Sequence, residues 1–369
     1  MNVRPPVTRL VSLALAAPLL LTACGAGEES APAPAPLPSP SPAVTATATS
    51  APSPSPVPSQ GPVSGLTGLP LTELPAPRPL AVMINNAPAA RPQSGISEAD
   101  LLYEVLAEGG ITRLIGIFQS RSGGPQIGPV RSIRPYLIDI GESYGGVLVH
   151  AGGSPAAYAL IQSGGKPDMD EIGRAGAYFW REKDRKAPHN LYTNAAKLRE
   201  GADKLGYAAQ VKVPAYTFAA PEEAPPAGGT LAAGFSVRFL LESYNVGYSY
   251  NADSRTYVRS MNGKPHLDRS SSAPVEAANV IVLGADHKVL DDVGRLSVGL
   301  ELGGKALLFQ RGQVVEGKWS RRPGDAIRFI RDGKEAALYP GTTHFLIVPN
   351  DPAFDSHVTI GGAKSGEGA

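Results

Sequence analysis

The chain has 369 residues, with 34 Lys and Arg against 33 Asp and Glu, a net charge of +1 and a single cysteine. A chain of this length buries a sizeable core and predicts two folded units. The near-neutral balance removes the electrostatic case for nucleic acid or a polybasic membrane patch, and one cysteine allows no internal disulfide framework.

At the N-terminus, Arg4 and Arg9 flank the start of an apolar run from Leu10 to Leu21. That run is shorter than the roughly 20 residues a spanning helix needs. It ends in Leu21-Thr22-Ala23-Cys24, small residues before a cysteine, as in a bacterial lipobox. Residues 1–23 are therefore expected as a lipoprotein signal peptide. Cys24 is the expected palmitate-bearing, lipidated N-terminus, which holds the protein on the extracytoplasmic face of the cell membrane. The stretch 24–66 is rich in Pro, Ala, Ser and Thr and reads as a semi-rigid tether. At about 3.1 Å per residue it reaches up to roughly 100 Å from the bilayer.

Residues 67–220 predict an α/β domain with a mostly parallel sheet. Leu80–Ile84 is a short buried strand, broken by Asn85-Asn86-Ala87-Pro88. Ser97 followed by Asp100 resembles a capping box, and Leu101, Leu102, Val105 and Leu106 then make a helical stripe closed by Gly109-Gly110. Ile111–Phe118 and Gly146–His150 read as strands, and Pro135–Tyr144 as a helix. Ser154 and Pro155 suit the N-cap and first turn of a helix through Ile161, and Thr193 the cap of another ending near Gly206. Residues 227–350 predict a β-rich domain of short strands punctuated by turns such as Met261-Asn262-Gly263-Lys264, with 351–369 as a tail.

Two charged groups stand out. On a helix, Asp100, Glu104 and Glu108 share one face and call for counter-charge, from Mg2+ or from arginines. Arg113, Arg131 and Arg134 lie in or beside apolar elements, where planar guanidinium forks suit phosphate or carboxylate. Two readings stand side by side: an anion pocket, or a structural network in which these arginines neutralise the acidic helix. His150 and Ser154 lie beyond a strand's carboxyl end, where ligands gather in open α/β sheets, and His189 sits beside Asn190. Asp100 and Glu104 are the candidate Mg2+ ligands. No Cys/His spacing supports zinc. Tyr248, Tyr250, Tyr257 and Trp319 offer a stacking surface or, more simply, core and cross-strand packing.

Several segments resemble the YerB-like lipoproteins, a bacterial family of two domains of unknown function. They include Arg91-Pro92-Gln93-Ser94-Gly95, Glu108-Gly109-Gly110-Ile111-Thr112-Arg113 and Ile127-Gly128-Pro129-Val130-Arg131-Ser132. His150-Ala151-Gly152-Gly153-Ser154, Pro188-His189-Asn190-Leu191 and Gly263-Lys264-Pro265-His266-Leu267-Asp268 continue the match. The resemblance implies an α/β domain, a β-rich domain and lipid anchorage, and no activity. A more distant likeness, through Arg113 and Val130-Arg131-Ser132-Ile133-Arg134, is to the LytR–CpsA–Psr phosphotransferases, although Pro135 stands where their motif has Asp. The function these observations predict is an envelope protein holding an anionic ligand in an arginine-lined cleft. A Mg2+-assisted phosphotransferase on a lipid-linked cell-wall glycan and a scaffold for an envelope enzyme are the alternatives.

Overall fold

The computed structural model describes residues 61–74, 76–121 and 124–361. The signal peptide, Cys24 and nearly all of the tether lie outside the described residues. Ser64 and Leu66, at the end of the stretch read as tether, are buried against the folded chain. No helix among the described residues is long and apolar enough to cross a membrane.

The first region forms β1 (Leu80–Asn85), β2 (Leu101–Leu106), β3 (Thr112–Phe118), α1 (Pro135–Glu142), β4 (Val147–His150), α2 (Pro155–Gly164), β5 (Asp168–Asp170) and α3 (Ala195–Lys204). The second contributes β6 (Gly234–Arg238), β7 (Asn245–Asn251), β8 (Thr256–Met261), β9 (Asn279–Ala285), β10 (Gly304–Gln310), β11 (Gln313–Ser320), β12 (Arg328–Arg331), β13 (Thr343–Pro349) and β14 (Val358–Gly361). The last of these strands comes from the expected tail. Ser154 caps α2 by accepting from the Ala157 N–H at 3.2 Å. Asn194, not Thr193, caps α3, because the Thr193 hydroxyl donates to the Tyr178 carbonyl instead.

The predicted helix after Ser97 is a strand. The spacing of Leu101, Leu102, Val105 and Leu106 fits a helical stripe, but every residue from 101 to 106 is buried, as in a strand covered on both faces. Ser97 caps nothing: its N–H and hydroxyl both donate to Asp268 at 3.0 Å. The edges of β2 are taken by β3, antiparallel, and by β13, parallel.

The sheet is mixed rather than mostly parallel. β1 pairs parallel with β4, and β4 with β5, while β3 runs antiparallel to both β1 and β2. β13 inserts between β2 and β9, parallel to each, and β10, β11 and β12 continue antiparallel. One 12-stranded sheet thus runs through both regions of the sequence, and β6, β7, β8 and β14 belong to a second, 6-stranded sheet. On one face of the large sheet, Tyr103, Val105, Ile115 and Phe345 pack under Tyr136 and Leu137 of α1 and Ile161 of α2. On the other, Val82, Leu102 and Leu114 pack with Ala195 and Leu198 of α3. Further along that same face, Val282, Phe309 and Leu346 meet Phe235, Tyr248 and Tyr257 of the second sheet. These tyrosines and Trp319 are therefore core, not a stacking surface.

Where these last two clusters meet, Glu104 of β2 faces Arg259 of β8, both at 1 % exposure. Arg259 Nη2 donates to Glu104 Oε2 at 2.5 Å, Nη1 to the Tyr248 hydroxyl at 2.9 Å and Nε to His266 Nδ1 at 3.0 Å. The other Glu104 oxygen accepts from Asn86 Nδ2 and the Thr112 hydroxyl at 2.9 and 2.6 Å. Burial works against the Arg259 charge, but the Tyr248 oxygen and the Glu104 carboxylate more than offset it and raise its pKa. Burial, with the Arg259 and Arg91 charges, pushes His266 well below the ordinary imidazole range. Its Nδ1 accepts from Arg259, so its Nε2 carries the proton and donates to Gln93 Oε1 at 2.7 Å.

Removing one partner of a buried, hydrogen-bonded ion pair strands the other charge and costs about 3–5 kcal/mol. Arg259→Ala is expected to lose stability on that scale in urea unfolding. Replacing Glu104 and Arg259 together by methionine is expected to recover most of it. A single variant within about 0.5 kcal/mol of wild type contradicts the assignment.

Candidate functional site

Three of the sequence-predicted arginines come together on the α1 face of the large sheet. Arg113 stands directly opposite Asn85 in the β1–β3 register, on the same face as Ile115 and Ile117. After β3 the chain doubles back until Val130 bridges Ile84. The Arg131 N–H donates to the Met83 carbonyl and its carbonyl accepts from Ala151 N, at 2.8 and 3.1 Å. Ile133 pairs with Gly153. The segment from 131 to 134 therefore lies across the carboxyl ends of the parallel strands β1 and β4, just ahead of α1, the position favoured for ligands in open sheets.

Arg113 is 3 % exposed; its Nη1 donates to the Ser132 carbonyl at 2.6 Å, while its buried Nε has no acceptor among the described residues. Arg134 Nε donates to Glu108 and its Nη1 to the Ile133 carbonyl at 2.8 Å. The Arg131 guanidinium is half-buried and makes no hydrogen bond among the described residues. Burial and the neighbouring Arg134 charge lower the Arg113 pKa to about 10, and the same two causes lower that of Arg131. Burial pushes the Glu108 carboxyl up, but the Arg134 hydrogen bond and charge outweigh it and hold Glu108 below the usual range. One carboxylate thus serves three guanidiniums.

His189 joins this cluster. Asn85 Oδ1 accepts from the Ala87 N–H at 3.0 Å, which turns Asn85 Nδ2 toward His189 Nδ1 at 2.9 Å. The imidazole is then neutral with its proton on Nε2. Burial and the charges of Arg131 and Arg185 lower its pKa in the same sense. Asn85 is the residue the sequence reading missed, taken only as a strand breaker. The available signal was an amide at the carboxyl end of a buried apolar run.

The remaining candidates lie apart. His150 is fully buried, its Nδ1 3.0 Å from the Gly152 carbonyl and its Nε2 facing Asp168 Oδ2 at 3.5 Å. It underpins the Gly152-Gly153 turn rather than touching the guanidiniums. Ser154 is spent on the α2 cap. Asp100 accepts from the Gln119 and Ser120 N–H groups at 2.5 and 2.9 Å and from the Ser120 hydroxyl. Because residues 101–106 are extended, Asp100 and Glu104 are separated by roughly 13 Å of strand, not one helical turn. Strand alternation also sets Glu104 on the face opposite Arg113. Among the described residues, no three His, Cys, Asp or Glu side chains gather as a metal site. The hollows near Arg78 and Arg199, near Lys305 and Lys318, near Glu223 and Tyr339, and near Arg91 and Lys264 are lined by other residues.

Fold and site together define a protein whose two sequence regions are joined through one mixed sheet, with a cluster of three guanidiniums at strand carboxyl ends. Residues 66–208 match the model described as "Protein of unknown function (DUF3048) N-terminal domain", and residues 235–345 match its C-terminal counterpart. The chain is 37 % identical over 297 residues to "Putative lipoprotein YerB" of Bacillus subtilis (strain 168), covering 79 % of this chain and 86 % of the relative. It is also similar to the crystal structure of the YerB protein from Bacillus subtilis, at 35 % identity and a TM-score of 0.72, covering 81 % of this chain and 99 % of that one. The chain belongs to the DUF3048 family of YerB-like proteins.

With Glu108 neutralised, three guanidiniums face one another uncompensated. Glu108→Gln is expected to cost about 1–2 kcal/mol in chemical unfolding at low salt, with much of the loss recovered when salt screens the repulsion. A loss that does not respond to salt contradicts the electrostatic account.

Proposed function

We propose that this protein is a lipid-anchored envelope protein on the extracytoplasmic face of the bacterial membrane. Its Arg113, Arg131 and Arg134 cluster binds an anionic, phosphate-bearing or acidic ligand such as a cell-wall component. The observation that carries the ligand reading is the charge imbalance: three guanidiniums converge at the carboxyl ends of β1 and β4, and among the described residues Glu108 is the one carboxylate paired with them. Among the described residues Arg113 Nε and the Arg131 guanidinium keep unspent donors, and His189 offers a neutral N–H beside Arg131.

Two observations support the anchor. The sequence ends its apolar leader in Leu21-Thr22-Ala23-Cys24, and the similar Bacillus protein carries "lipoprotein" in its name. The phosphotransferase alternative has weaker support, because Asp100 and Glu104 are hydrogen-bonded elsewhere and lie too far apart to share a magnesium ion.

Inorganic pyrophosphate is expected to raise the thermal midpoint of the wild-type protein, and Arg131→Ala is expected to lose at least tenfold in apparent affinity, the size of one charge-assisted contact. Equal shifts in both proteins sink the ligand reading. Cys24→Ser is expected to abolish incorporation of labelled palmitate and to move the protein from the membrane to the soluble fraction. Retained label sinks the anchor.

A further inference from the structure

A groove lies on the opposite side of the large sheet from the guanidinium cluster, where the two family domains meet, with a volume of about 520 Å³. One wall is the segment from Pro88 to Pro92 and the other the segment from Met261 to Leu267. Its charged lining residues are Arg91 and Lys264, and no carboxylate lines it. We propose that this groove is a binding site for a small anion bearing a carboxylate or phosphate, gripped by Arg91 and Lys264.

Arg91 is held as a pre-set cation. Its Nε donates to the Asn86 carbonyl and Oδ1 at 3.1 and 3.2 Å, its Nη1 donates to the Ser243 carbonyl at 3.0 Å, and its guanidinium lies 4.7 Å from the Tyr244 ring centre. Each of these partners is neutral, and the nearby Glu104 is already paired with Arg259. Nη2 is buried without a partner among the described residues, an unspent donor of the kind that buried sites rarely leave unmatched. The side chain is fixed before any ligand arrives, so little rotamer freedom remains to be lost on binding.

Lys264 is positioned from the other wall. Asn262 and Gly263, both at positive φ, turn the chain between β8 and the short Lys264–Pro265 edge strand. Asn262 Nδ2 donates to the same Ser243 carbonyl that Arg91 uses, at 3.0 Å, so one acceptor ties both walls. Lys264 is exposed and has no acidic partner among the described residues. His266 is held neutral by its bonds to Arg259 and Gln93, leaving the two cations to set the field. Pro88, Pro92 and Pro265 supply stiff apolar walls for the body of the ligand.

Calorimetric titration of the full-length protein at constant ionic strength, with inorganic pyrophosphate and separately with citrate, tests the site and tells phosphate from carboxylate preference. One probe is expected to bind with a component that Lys264→Glu weakens about tenfold or more and that Arg131→Ala leaves within about twofold. Lys264 is on the surface, so an unchanged thermal midpoint is expected for its variant. Wild-type affinity in Lys264→Glu, or no binding of either probe, overturns the proposal. If Arg131→Ala alone abolishes all binding, the ligand belongs to the other cluster and the groove assignment falls by itself.

Discussion

The buried pair of Glu104 and Arg259 is the constraint on which the rest of the molecule depends. Taking two charges out of water is costly, and the cost is offset only where each has a full set of partners. Glu104 receives three hydrogen-bond donors and Arg259 donates to four groups. Those partners come from β1, β2, β3, β7 and β8 or from the loops beside them, so the pair forms only when both halves of the chain are in place. An apolar seam tolerates sliding, whereas this one has a single register.

That constraint divides the chemistry of the molecule. By engaging Glu104, the seam leaves Glu108 to serve the guanidinium cluster on the other face. The sheet then lies between the acidic residue the seam uses and the basic residues clustered on the α1 face. A magnesium-dependent centre needs carboxylates and arginines on one side of one hollow. Here Glu104 is turned to the seam, and Glu108, bonded to Arg134, is the carboxylate found with the arginines among the described residues.

The family describes the chain as an N-terminal and a C-terminal domain, and the sequence changes character between them. In space the boundary is not a gap. β13 lies between β2 and β9 and hydrogen-bonds to both, completing the N-terminal sheet with a strand from residues 343–349. Tyr103 of β2, Tyr144 and Tyr216 join hydroxyls across the same junction, and Tyr103 stacks on Phe345 at 4.4 Å. Arg131 and Arg91 therefore belong to a unit whose two halves share one core.

Local signals determined much of this. β1, β3, β4, the capped α2, the Asn262-Gly263 turn and the β character of the second half all depend on short-range propensity, which neighbours in sequence carry. The clustering of Arg113, Arg131 and Arg134 was legible because apolar elements on either side limit where those charges can go. Tertiary structure decided the rest. Leu101–Leu106 suits a helix or a strand, and β13, some 240 residues later, resolves it by supplying the second hydrogen-bonded edge. Once β2 is extended, Asp100, Glu104 and Glu108 go to separate partners, and Arg259 becomes a counter-ion that no local pattern indicates. Pairings of such long sequence separation leave no periodicity to read, because only the closed sheet brings the partners within hydrogen-bond reach.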